Sequence, residues 1–126
     1  MRFAKWVFRP AEVSGILLVV PPYFLERQTG EDYPPVTHPE YYYGFFGVTL
    51  AWQVLFLVIS SDPVRYRRAM LPAQREKASF ALAIPVLYVM GRVAAVWLTF
   101  ASMDATWLVL FAVAYWLMPK VGTRPR

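Results

Sequence analysis

Apolar residues along the chain gather into four stretches separated by charged or proline-bearing connections. The first covers residues 6–25, with Glu12 near its start and Pro21-Pro22 near its end. The second, 41–60, has no formal charge, and Gln53 is its one strongly polar residue. The third, 78–101, is interrupted only by Arg92, and the fourth, 105–118, gains length when Asp104 marks its boundary, giving 104–119. A helix rising 1.5 Å per residue needs about 20 residues to cross a hydrocarbon core ~30 Å thick. The second and third stretches meet that length outright, the first meets it with a proline kink, and the fourth is short. A surface helix of a water-soluble bundle needs a polar face, and neither 78–91 nor 107–118 has one. The pattern therefore predicts an all-α, four-transmembrane-helix bundle, a single membrane domain over residues 1–126.

Charge placement orients the bundle. Eleven of the 13 basic residues fall on one side of four crossings: Arg2, Lys5 and Arg9; Arg65, Arg67, Arg68, Arg75 and Lys77; and Lys120, Arg124 and Arg126. The other side holds Arg27 among Glu26, Glu31, Asp32, Glu40 and Asp104. The positive-inside rule then puts both termini in the cytoplasm. The basic head followed by apolar residues resembles a secretory signal, but Pro21-Pro22-Tyr23 stands where cleavage needs small residues, so the segment reads as a retained helix. The net charge of +5 is a topology signal; basic caps on apolar helices lack the readers that nucleic acid requires, so no nucleic-acid partner is expected.

Composition agrees. The chain is 58% hydrophobic and 17% charged, against about a quarter charged in soluble domains. The absence of cysteine excludes disulfides, thiolate zinc sites and iron–sulfur clusters, and a single histidine leaves no basis for a metal or cofactor.

The connections carry local expectations. Residues 26–40 contain Gly30, Pro34, Pro35 and Pro39, which predicts an ordered, largely extended outer cover. Tyr33, Tyr41, Tyr42, Tyr43 and Trp107 suit an interfacial aromatic belt. On the inner side, Ser60-Ser61-Asp62-Pro63 is a helix-start signal, predicting a short surface helix over 63–70 with Arg65, Arg67 and Arg68 toward headgroups. Pro72 then restarts the chain into the third crossing.

Candidate chemistry centres on Arg92. It lies 15 positions after Lys77, about 22 Å along a straight helix from the inner rim, deeper than an arginine comfortably snorkels. Gln53 and Tyr88 are its expected partners, and Gly91, Ala94 and Ala95 would let a neighbouring helix approach. Two readings stand: a binding pocket for an anionic or polar group, or an arginine satisfied by Gln53, Tyr88 and carbonyls freed at Pro85. Glu12 is either a rim partner of Arg9, Arg75 or Lys77, or a proton-carrying carboxylate. His38 and Glu40 form the one outer acid–base cluster, with the plainer reading that Glu40 caps the second helix and His38 pins the loop. The ligand-binding candidates are thus Arg92, Gln53, Tyr88, His38 and Glu40. No nucleophile stands in a catalytic context, so no catalytic residue is assigned.

Tyr33-Pro-Pro-Val-Thr-His-Pro-Glu-Tyr-Tyr-Tyr-Gly and Asp62-Pro-Val-Arg-Tyr-Arg resemble segments of a group of small bacterial four-helix membrane proteins with no assigned activity. That resemblance, over about a third of the chain, implies a multi-pass protein of the bacterial inner membrane. The layout is also similar to that of DoxX-like proteins, in architecture alone. The expected function is non-enzymatic: a binding or accessory membrane protein with an outer-half cavity for a lipid, a hydrophobic small molecule or a partner helix. Its partners would be membrane lipids and another membrane subunit or a second copy of itself. The alternatives are an oligomeric transporter or channel, and a membrane enzyme acting on a lipid or quinone.

Overall fold

The computed structural model describes residues 1–32 and 35–119, so Tyr33, Pro34 and the basic tail at 120–126 lie outside the described residues. The described chain is all-helical: α1 (Arg2–Phe24), α2 (Glu26–Asp32), α3 (Pro39–Ser61), α4 (Met70–Val89) and α5 (Val96–Leu117), with a 3₁₀ turn at Arg67–Ala69. Four of these helices are long. Two, Pro39–Ser61 and Val96–Leu117, are long and apolar enough to cross a membrane. Only 22% and 11% of their apolar windows is buried, so neither resembles the core helix of a soluble protein. α1 and α4 carry more charge, including Lys5, Arg9 and Glu12 in one and Arg75, Glu76 and Lys77 in the other.

α1 packs along α3 and α4 along α5, giving two helical hairpins, and α1 also meets α5. Buried positions on α1 (Ala4, Val7, Phe8, Ala11) follow the spacing of one helix face. Phe8, Phe56 and Phe111, each fully buried, bring α1, α3 and α5 together. Phe8 stacks on Phe111 with ring centres 4.1 Å apart, and Phe56 meets Phe111 edge-on at 5.1 Å. Ala73, Ala81, Ala101 and Ala114 are buried small residues on α4 and α5, where the two helices run close. Outward, large apolar side chains stay uncovered on all four long helices, among them Leu17, Val48, Leu82, Val86, Val89 and Val109.

The third predicted crossing is displaced. α4 begins at Met70 rather than 78, because Pro72 occupies the first helical turn, where a backbone N–H has no intrahelical acceptor to lose. The predicted surface helix at 63–70 is a run of turns ending in the 3₁₀ turn, with the Asp62 carboxylate accepting from the Arg65 amide at 3.2 Å. α4 ends at Val89 rather than 101. Gly91 has φ +69, its amide bonds the Tyr88 carbonyl, and the Arg92 amide reaches back to the Leu87 carbonyl. This is a Schellman stop, and glycine takes its left-handed position without the Cβ clash other residues suffer. α5 then starts at Val96, which puts Asp104 inside a helix instead of at its boundary.

The connection between α1 and α3 also differs from the extended cover expected of it. Residues 26–32 form α2, because every proline of the connection comes after Asp32. Two tyrosines of α3 hold this cover. The Tyr42 hydroxyl donates to the Pro22 carbonyl, which also accepts from the Leu25 amide at the end of α1, and contacts Thr29 Oγ1 at 3.2 Å. The Tyr43 hydroxyl donates to Glu26 at 2.5 Å. Between α3 and α4 Arg67 turns inward, unlike exposed Arg65 and Arg68. Its guanidinium lies 3.9 Å from the Tyr115 ring centre and donates to the Tyr115 carbonyl at 3.3 Å, placing a cation at the C-terminal end of α5.

Candidate functional site

The buried polar residues gather in the bundle interior, where the hairpins face each other. On α4 the inward stripe is Met70, Ala73, Lys77, Ala81 and Ile84, a three–four spacing that commits Lys77 to the interior despite its charge. Its ammonium lies 3.0 Å from Asp104 Oδ1 on α5 and 3.2 Å from Glu76 Oε2, and 5.3 Å from the centre of the Phe56 ring on α3. Lys77 is 6% exposed, so this ion pair is shielded and the cation is held by two carboxylates and an aromatic face. By helix rise Lys77 is about 10 Å from the first residue of α4, and Asp104 about 12 Å from the first residue of α5. The pair therefore sits well inside both helices.

The other hairpin contributes a second polar pair. Glu12 on α1 accepts from Ser60 Oγ on α3 at 3.3 Å, and both are buried. Among the described residues Glu12 is joined to no cation, so the expected rim pair with Arg9, Arg75 or Lys77 is not formed. Gln53 is buried as expected, but it lies against Gly15 of α1. A Cβ at Gly15 would overlap the Gln53 amide, so the Gln53 side chain takes the space that glycine leaves on α1. Gln53 donates weakly to the Thr49 carbonyl at 3.4 Å, while its Oε1 is buried without a partner. The interior thus holds two separate polar sets, Glu12, Ser60 and Gln53 between α1 and α3, and Glu76, Lys77 and Asp104 between α4 and α5.

The Arg92 constellation does not assemble. The Gly91 stop moves Arg92 out of a helix into the exposed turn between α4 and α5, and Tyr88 is exposed on the last turn of α4. Gln53 faces α1 instead. His38 and Glu40 do pair, with Nδ1 and Oε1 3.1 Å apart, at the exposed start of α3. His38 is the N-cap residue and its ring also meets Tyr41 at 5.5 Å, so the pair pins the entry to the helix.

The residues that the sequence reading missed are Glu76, Lys77 and Asp104. It set Lys77 on the inner rim and Asp104 on the outer one, whereas they touch. The signal that reveals Lys77 is its spacing of four from both Ala73 and Ala81, on the small-residue stripe that α4 presents to its neighbour. Two surface depressions accompany the fold. One, of about 350 Å³, is lined by Glu26, Arg27, Gly30, Glu31, Pro35 and Val36, and the other lies along α1. Comparison with family models, with curated proteins and with solved structures finds no match.

Proposed function

We propose that the chain is a multi-pass protein of a bacterial inner membrane, with all four long helices crossing and both ends in the cytoplasm. In this reading it works by binding, as a small accessory protein that holds a lipid, a hydrophobic molecule or a partner helix. The supporting observation is an inverted distribution of polarity: Lys77, Glu12, Gln53 and Ser60 are buried while leucines and valines cover the outside. In water such an exterior is unfavourable, since soluble monomers rarely leave apolar patches beyond a few hundred Å². In hydrocarbon the same arrangement is favourable, because ionisable groups turn inward and pair. With Lys77 and Asp104 inside, the basic excess at the cytoplasmic side still rests on Arg2, Lys5, Arg9, Arg65, Arg67, Arg68 and Arg75, against Arg27 and Arg92 opposite. The binding surface at the outer end is the depression that α2 forms with Pro35 and Val36, on the end of the bundle rather than in its outer half, with Tyr43 fixing Glu26 on its wall.

Two measurements test this. A cytoplasm-active reporter fused after Arg126 should be active, and a periplasm-active reporter inserted at the α4–α5 turn should be active; the reverse pattern refutes the topology. Protein extracted in mild detergent should carry a stoichiometric hydrophobic molecule or membrane subunit, and a bare monomer refutes the binding role. A second reading, an oligomeric transporter, is favoured by the ionisable groups of the seam, Glu12 on one hairpin and Lys77–Asp104 on the other. Proteoliposomes loaded with a pH dye should then show proton flux that Asp104→Asn abolishes, and an unchanged baseline refutes it.

A further inference from the structure

The outward face of α1 carries a feature that the seam does not use. Arg2, Lys5, Trp6, Arg9, Pro10 and Val13 share one helix face, at spacings of three and four, and line a groove of about 460 Å³. Arg2 and Arg9 are exposed, and among the described residues no carboxylate pairs with Arg2, Lys5 or Arg9. Trp6 stands 75% exposed between the three cations, and Pro10 and Val13 continue the groove as an apolar floor. From Arg2 to Val13 the helix rises about 16 Å, with the cations toward the N-terminal end and, on this face, only Pro10 and Val13 beyond Arg9.

We propose that this groove binds one anionic phospholipid of the cytoplasmic leaflet. The inference rests on the membrane reading and goes beyond it by assigning a site and a ligand class. The order of groups along α1 is the order of groups along such a lipid. Arg2, Lys5 and Arg9 meet the phosphate, where guanidinium forks suit its oxygens. Trp6 lies at the headgroup boundary, where its amphipathic ring is favoured. Pro10 and Val13 take the start of the acyl chains. A zwitterionic lipid offers the same chains, but its own quaternary cation sets it against the three unpaired basic groups. Three basic groups near the surface give a preference for anionic over zwitterionic lipid of about a hundredfold.

The test uses the full chain in nonionic detergent with equal amounts of phosphatidylglycerol and phosphatidylcholine, and native mass spectrometry to read retained lipid. Wild type should hold one phosphatidylglycerol in preference to phosphatidylcholine by about a hundredfold. The triple variant Arg2→Gln, Lys5→Gln, Arg9→Gln should lose that preference, whereas Arg65→Gln with Arg68→Gln, on exposed cations of the inner connection, should keep it. Trp6→Ala should shorten lipid retention and carries the same test if the triple variant misfolds. Equal retention of the two lipids by wild type, equal loss in both basic variants, or displacement of the lipid by excess inorganic phosphate would each overturn the site. Failure of the underlying reading has a different signature: the protein would then be monodisperse without detergent, whatever its lipid preference.

Discussion

Replacing Lys77 by methionine keeps the length of the side-chain stem and deletes its charge. Asp104 and Glu76, 3.0 and 3.2 Å from the ammonium, then face each other's charge without a counterion. Breaking a buried pair by removing one partner costs about 3–5 kcal/mol, chiefly because the remaining charge stays desolvated. Removing both partners in favour of apolar groups is often neutral, or stabilising by about 1–4 kcal/mol. Lys77→Met with Asp104→Leu should therefore recover at least about 2 kcal/mol relative to the sum of the two single changes. Glu76 limits the recovery, since it loses its contact with Lys77 in either case. Unfolding in mixed micelles followed by the fluorescence of the five tryptophans closes the cycle. A Lys77→Met protein within about 0.5 kcal/mol of wild type, or strictly additive single changes, would refute the claim that this pair joins α4 to α5.

Three further outcomes follow from the packing. Gly15→Ala should destabilise by about 1–3 kcal/mol through overlap with Gln53, and the same change made in a Gln53→Ala background should be nearly neutral by the same unfolding measurement. Gly91→Ala should cost about 1–2 kcal/mol from its left-handed backbone alone, with faster amide exchange at Arg92 as the local signature. Phe8→Ala opens a cavity under Phe111 and Phe56 and should cost about 2–3 kcal/mol even in lipid, where the water-to-oil part of the usual aromatic loss is absent; a loss below 1 kcal/mol on chemical unfolding would show that neighbours collapse into the space.

Long apolar runs made the four long helices legible in the sequence, and the unbroken second run placed α3 to within a residue or two at each end. Gln53 was legible as buried because it is the lone strongly polar side chain of that run. The third and fourth helices were misplaced by giving Arg92 and Asp104 the wrong roles. Arg92 interrupts an apolar stretch, which invites a mid-membrane reading, but the residue before it is glycine, and a helix terminator outweighs continued hydropathy. Asp104 looked like an end marker because charges usually lie at helix ends. Its partner is 27 positions earlier in the chain, and a contact at that range leaves no local trace. The inward spacing of Lys77 was visible, yet its sequence neighbours Gln74, Arg75 and Glu76 masked it as one more rim charge.

The pairing of Lys77 with Asp104 bears on how the chain is made. If all four long helices cross a membrane, as proposed, the ribosome delivers α4 before α5, so the lysine reaches the translocon ahead of the aspartate that pairs with it. Alone, a central lysine disfavours lateral release into lipid by about 2.5–3.5 kcal/mol. In that topology release becomes favourable once α5 arrives and the two helices leave as a unit, which makes biogenesis of the second hairpin concerted rather than stepwise.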